Sequence, residues 1–60
     1  MITGETITDS QIWDYRDSLP REHFMVGVCA DALGSPNHPL RRRNCRAMVA
    51  DAINRNEVVK

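Results

Sequence analysis

The chain has 60 residues, of which eight are basic and eight acidic, so its formal net charge at pH 7 is zero. A chain this short forms one domain and buries only about 60% of its unfolded surface, so its stability is marginal unless a disulfide, a metal or self-association adds to it. The balanced charge excludes a global attraction to nucleic acid or membranes, and any basic recognition has to be local. A hydrophobic share of 42% fits a folded helical domain better than a disordered tail.

The first ten residues, MITGETITDS, contain neither the basic nor the apolar region of a signal peptide, and no apolar run reaches the length of a membrane span. We therefore expect a cytoplasmic protein without membrane association. Cys29 and Cys45 are predicted to be reduced thiols, because a secreted mini-protein of this size usually carries more cysteines.

The segment ITDSQI predicts the start of a first helix, over residues 9–19. Thr8 is the expected N-cap, and Gln11, three residues later, completes a capping box. Ile7 before the cap and Ile12 after it form the pair of a hydrophobic staple. The predicted core stripe of this helix is Ile12, Tyr15 and Leu19, with Trp13 half-exposed on its flank as a core or interface anchor.

Pro20 ends the first helix and favours the start of a second, predicted over residues 21–33. Gly34 is expected to close it in the left-handed conformation, and Pro36 prevents its continuation. Gly27 is a poor helix former in its interior, and we expect it to permit close approach of another helix. The predicted core stripe is Met25, Val28, Cys29 and Ala32, widened by Val26 and Leu33.

A third helix is predicted over residues 39–55, with Asn37 or His38 at its cap. Its expected core stripe, at helical spacing, comprises Cys45, Met48, Val49, Ala52 and Ile53. The opposite face is small and mostly apolar where a solvated helix normally carries Lys and Glu; it comprises Leu40, Arg43, Ala47, Ala50 and Asn54. Residues 1–6 and 57–60 are predicted to fray.

Three consecutive arginines, Arg41, Arg42 and Arg43, lie at the predicted start of the third helix. Helix N-termini carry partial positive charge, so cations there are unfavourable by about 0.3 to 1 kcal/mol each. The helical wheel places Arg41 and Arg42 on the core side, where we expect them to reach acidic residues or carbonyl oxygens at the C-terminal end of a neighbouring helix. Arg43 and Arg46 point outward and are either solvated or used in recognition.

The outward strip of the third helix has the pattern of a small interface, with an apolar centre and forked cations at its rim. The sequence therefore predicts a partner-binding surface for a homodimer or a hetero-complex, and self-association would also support a small core. The predicted binding residues are Leu40, Arg42, Arg43, Arg46, Ala47 and Ala50.

An alternative reading is a small DNA-binding regulator, with the second and third helices as a helix-turn-helix and LRRRNCRAM in the major groove. The connecting segment GSPNHP is longer than the usual three or four residues of that turn. The acidic residues elsewhere would also oppose attraction to phosphate. Nucleic acid is accordingly the less favoured partner.

No motif in the sequence specifies a chemistry. His23, Cys29, His38 and Cys45 do not have the spacing of a zinc motif, which normally begins with a close cysteine pair. Both cysteines fall on core stripes, whereas a reactive thiolate needs an exposed electropositive site. We therefore expect neither an enzyme nor a bound cofactor or metal.

Three stretches carry a family resemblance: ITDSQIWDYR at residues 7–16, VGVCADALG at 26–34 and RRNCRAMVADAI at 42–53. They are similar to the patterns ITxxQIxxxR, VxxCxxALxG and RxxCxxxxxxAI, and on them the chain resembles small helical proteins of bacteriophages and prophages. The resemblance implies a phage accessory role in the host cytoplasm and carries over no catalytic residue.

Together these patterns predict a single all-α domain of three helices that acts as a protein–protein interaction module. With the resemblance, the expected partner is a host or defence protein that the module binds or inhibits.

Overall fold

The computed structural model describes residues 1–34 and 38–59, with side chains as far as Arg55. It contains three helices: α1 at Asp9–Asp17, α2 at Phe24–Gly34 and α3 at Pro39–Val59. The described residues include no strand. The predicted all-α, three-helix class is therefore confirmed. The predicted stop at Pro36 and the alternative cap at Asn37 lie outside the described residues.

Helix α1 begins as the sequence predicts. The Thr8 hydroxyl accepts a hydrogen bond from the Gln11 backbone N–H at 3.2 Å, and the Gln11 side chain accepts one from the Thr8 N–H at 2.9 Å. Both donors would otherwise be unpaired at the first turn of the helix. The helix ends at Asp17, two residues earlier than predicted, and the Ser18 N–H that follows is shared between the Asp14 and Tyr15 carbonyls.

Helix α2 starts later than the predicted residue 21. The chain first closes a turn in which the His23 N–H donates to the Pro20 carbonyl at 3.0 Å. The His23 ring then accepts a hydrogen bond from the Met25 N–H through Nδ1 at 3.1 Å, so His23 caps the helix that begins at Phe24. The predicted left-handed glycine at the C-terminal end is also wrong, since no described glycine has a positive φ.

Helices α2 and α3 form an antiparallel hairpin, with Ala32 near Arg46 at one end and Phe24 near Arg55 at the other. Helix α1 packs across this pair. The buried core draws on all three helices and on the residue before the first cap: Ile7, Ile12, Met25, Cys29, Ala32, Cys45, Val49 and Ala50.

The buried face of α3 differs from the predicted one at two positions. Met48, predicted as core, is 48% exposed, whereas Ala50, predicted on the outward strip, is only 2% exposed. The buried sector is turned toward Ala50 because a further segment of the chain packs on that side. Helix α3 also continues to Val59, past the predicted end at residue 55.

That further segment is residues 1–7, here called the N-terminal segment, which the sequence predicts to fray up to residue 6. It instead folds into a turn in which Ile7 donates its N–H to the Thr3 carbonyl at 2.9 Å, and the Thr6 hydroxyl accepts from the Thr3 N–H at 2.9 Å. Its end is anchored by Ile7, which is buried in the core. The turn lies against α3.

Gly4 lets the N-terminal segment approach α3 closely. A Cβ atom added to Gly4 would lie 2.9 Å from the Cα of Ala47, which is closer than side chains normally approach backbone. The prediction assigned close approach to Gly27 instead, but a Cβ there would meet nothing within 4 Å. The close-packing glycine thus lies in the N-terminal segment and not in α2.

Candidate interaction surfaces

The side of α3 that faces the N-terminal segment is held by a pair of hydrogen bonds at Asn54. The Asn54 side-chain Oδ1 accepts from the Ile2 N–H at 3.1 Å, and its Nδ2 donates to the Ile2 carbonyl at 2.7 Å. One side-chain amide therefore satisfies both polar groups of one backbone residue. We call this side, formed by Arg46, Ala47, Ala50 and Asn54, the covered face.

Arg46 completes the covered face from the first half of α3. Its guanidinium donates to the Ile7 carbonyl at 2.6 Å and to the Asp9 carboxylate at 2.9 Å, with a longer contact of 3.4 Å to the Ala32 carbonyl. Ala32 lies in the last turns of α2, where carbonyl groups attract cations. Such contacts are predicted for Arg41 and Arg42, but these two residues are exposed, and Arg46 makes the contacts instead.

The six predicted binding residues therefore separate into two groups. Ala50 is buried, Ala47 lies against Gly4 although it stays exposed, and the Arg46 side chain is only 22% exposed and bonded internally. These three belong to the covered face. Leu40, Arg42 and Arg43 remain exposed at the start of α3.

The start of α3 carries the arginine cluster, which we define as Arg41, Arg42 and Arg43. All three are exposed, including Arg41 and Arg42, which were predicted on the core side. Arg43 makes an ion pair with Glu5 at 3.7 Å, but the two side chains are 73% and 82% exposed, so the pair contributes little. Leu40, beside the cluster, is 69% exposed.

A second open surface lies on the other side of α3, in a groove that the sequence analysis did not identify. Phe24 at the start of α2 is 74% exposed, and it shares the groove with Met48 of α3. We call it the Phe24–Met48 groove, with a volume of about 420 Å³. Its lining residues are Tyr15, His23, Phe24, Met25, Met48, Asp51, Ala52 and Arg55.

The walls of this groove are both apolar and polar. The His23 ring stacks on Phe24 with ring centres 4.9 Å apart, which holds the aromatic side chain at the mouth. Asp51 and Arg55, one turn apart on α3, form an exposed ion pair at the rim. A sequence signal for the groove does exist, since Phe24 is an aromatic residue that falls outside the core stripe of α2.

Trp13 is the other exposed aromatic residue. Its ring is 48% exposed, in agreement with the predicted half-exposure, and the Arg16 guanidinium lies over it at 5.1 Å. This cation–π contact covers part of the ring within α1 itself. Trp13 is thus less open to a partner than Phe24.

The two thiols lie at predicted core positions and are poorly suited to reaction. Cys29 and Cys45 are buried, and burial raises the pKa of both thiols above the ordinary value. Asp31 raises the Cys45 pKa further, while Arg41 acts in the opposite direction. A protonated buried thiol is a weak nucleophile. Within residues 1–34 and 38–55, no three His, Cys, Asp or Glu side chains form a group that could hold a metal ion.

Comparison of the chain with protein-family models, with curated proteins and with solved structures finds no match. Among the described residues, no helix has the length and apolar character needed to cross a membrane.

Proposed function

We propose that this chain is a small interaction module that binds another protein, with a helix of the partner lying in the Phe24–Met48 groove. The observation that carries the proposal is the exposure of two large apolar side chains, Phe24 and Met48, on one groove between packed helices. Single exposed apolar residues are common on protein surfaces, whereas two that share a groove favour a docking site.

The surroundings of the groove favour a helical partner. Its walls come from all three helices, and an amphipathic helix binds such a groove through apolar side chains spaced one turn apart. The ion pair of Asp51 and Arg55 at the rim offers both charges to polar side chains flanking the apolar stripe of the partner. An apolar centre with a charged rim is the usual arrangement of a protein interface.

The resemblance to small phage proteins extends the proposal to the kind of partner. An accessory protein of that type would bind or inhibit a protein of the host, including a defence factor. The alternative of DNA binding through α3 is less favoured, because Arg46 is engaged by Ile7 and Asp9 and the N-terminal segment occupies the neighbouring surface.

The proposal is tested by a double variant, Phe24→Ser with Met48→Gln, against the control Trp13→Gln. Trp13 is an exposed apolar residue outside both the groove and the arginine cluster, so the control separates loss of the groove from a general loss of surface hydrophobicity. The wild type and the control should capture the same protein from a host lysate, and the double variant should lose it while keeping its helical circular dichroism.

Sedimentation of the purified chain separates a foreign partner from a second copy. A doubled mass for the wild type that reverts in the double variant would make the partner another copy of this chain. If every captured protein is retained by the double variant and the mass is unchanged, the groove is not a docking site and the proposal is wrong.

A further inference from the structure

The arginine cluster is a second surface that the groove does not explain. We infer that Arg41, Arg42 and Arg43 bind a short acidic segment of a partner protein through its carboxylates, with Leu40 contacting an apolar side chain of that segment. The inference rests on the proposed protein-binding function but concerns a different surface, on the opening turns of α3.

The arginines of the cluster differ in their contacts from Arg46, one turn further along α3. The Arg46 guanidinium has partners on the N-terminal segment, α1 and α2, and its side chain is 22% exposed. Arg43 has a single loose ion pair with Glu5, and Arg41 and Arg42 are exposed. Arg46 therefore stabilises the fold, whereas the cluster faces solvent.

The cluster lies at the start of a helix, where cations are unfavourable. The first turn of α3 contains no acidic residue, whereas α1 begins with Asp9, as the helix dipole favours. Cations at the start of a helix oppose the partial charge of the free N–H groups. Residues that break a local rule without a compensating internal contact are candidates for function.

Carboxylates and nucleic-acid phosphates both suit arginine forks, and the surroundings of the cluster favour carboxylates as its ligands. The formal net charge of the chain is zero, and acidic groups lie close to the cluster: Glu5 pairs with Arg43, and Asp31 and Arg41 both act on Cys45. An extended polyanion would meet these carboxylates, whereas a short acidic segment can avoid them. Exposed Leu40 adds an apolar contact that a phosphate backbone does not offer.

The test is a titration of the isotope-labelled full chain, followed by amide and guanidinium NMR signals. The probes are a synthetic peptide of glutamates around one leucine and, separately at the same salt concentration, a short duplex DNA. We expect the peptide to shift the signals of Leu40 and the cluster. The triple variant Arg41→Gln, Arg42→Gln, Arg43→Gln should weaken this binding by about ten-fold or more.

Two matched measurements keep the test specific. The single variant Arg42→Gln should weaken peptide binding more than Arg21→Gln, which removes one exposed arginine outside the cluster. The triple variant should also melt at a higher temperature than the wild type, because it removes cations from the wrong end of a helix. A lower melting temperature would show that the arginines stabilise the fold and would overturn the inference.

The remaining outcomes separate this inference from the proposed function. Absence of shifts, shifts that survive in the triple variant, or tighter binding of the duplex than of the peptide would each overturn it. Peptide binding that is lost in the double variant of Phe24 and Met48 and retained in the triple arginine variant would assign the contact to the groove. That result would overturn the arginine inference and leave the proposed function standing.

Discussion

The covered face of α3 and the arginine cluster lie on one helix, yet they differ in what satisfies their polar groups. On the covered face, Asn54 and Arg46 bond to the backbone of the N-terminal segment at distances of 2.6 to 3.1 Å. At the cluster, the side chains of Arg43 and Glu5 meet at 3.7 Å and are mostly exposed. The same residue type, arginine, thus stabilises the fold at one turn and is exposed to solvent at the previous one.

A small apolar helix face can also serve for packing within the chain. Ala47 and Ala50 resemble the centre of a dimer contact in sequence, but Ala50 is buried within the chain, and Gly4 packs closely on Ala47, which stays exposed. A domain of this size benefits from any additional burial, and a segment of the same chain can supply it without the entropic penalty of association. The proposed partner surfaces are instead the arginine cluster and the Phe24–Met48 groove.

The largest difference between the two regions is expected for arginine replacements. Arg46→Met should lower the free energy of unfolding by about 1.5 to 3 kcal/mol, since it removes charged hydrogen bonds to the carbonyls of Ile7 and Ala32. Arg43→Met should change it by less than about 0.5 kcal/mol, because that residue is exposed. Urea unfolding of both variants measures this difference in stability. Equal losses of stability would contradict the conclusion that Arg46 stabilises the fold and Arg43 does not.

Two glycines provide a second pair with opposite expected signs. Gly4→Ala should destabilise the fold by about 1 to 3 kcal/mol, because the added Cβ would meet the backbone of Ala47. Gly27→Ala should stabilise it by about 0.5 to 1 kcal/mol, since the position is helical, exposed and free of neighbours within 4 Å. Thermal melts of the two variants should shift in opposite directions. A stabilised Gly4 variant would mean that the segment does not pack on α3.

Two of the three asparagines of α3 repeat the comparison on a smaller scale. Asn54→Ala should lower the free energy of unfolding by about 1 kcal/mol through loss of its two bonds to Ile2. Asn44→Ala, at an exposed position outside the covered face, should have little effect or a slight stabilising one, because alanine is the better helix former. Amide hydrogen exchange at Ile2 should quicken only in the Asn54 variant; unchanged exchange there would contradict the assigned contact.

The smallest effect is expected in the core that supports both regions, as a loss of stability at alkaline pH. Burial raises the pKa of Cys29 and Cys45, so the folded state holds these protons more tightly than the unfolded state. Stability is therefore complete below about pH 8.5, the ordinary thiol pKa, and falls as the pH rises further. Melting curves across this range should show the fall, and Cys29→Ala should reduce its steepness. A melting temperature that rises with pH would contradict the burial of the thiols.

Local signals in the sequence predict much of the helical framework. The capping box of Thr8 and Gln11 depends on four consecutive residues, and the core positions Cys29 and Val49 depend on helical spacing. These features are properties of neighbours along the chain, so they can be recognised without the fold. The start of α2 is harder to predict from the sequence, because Pro20 is compatible with either a helix start or a turn. The chain forms the turn, and His23 then caps the helix.

Long-range packing explains what the sequence does not predict. The N-terminal segment has no helical or strand period, and its contact with Asn54 joins residues 52 positions apart. Once it covers Ala50, the buried sector of α3 turns away from Met48, which then opens into the groove beside Phe24. One unrecognised contact therefore accounts for both the burial of Ala50, which was predicted on the outward strip, and the missed groove.

The most direct test of this account is a nuclear Overhauser measurement between the α protons of Gly4 and the methyl group of Ala47 in the free chain. The account predicts a strong cross-peak, because these groups are in contact when the N-terminal segment lies on the covered face. A missing cross-peak, together with random-coil chemical shifts for residues 1–6, would contradict it. The covered face would then be open, and the predicted interface at Ala47 and Ala50 would again be the leading candidate for partner binding.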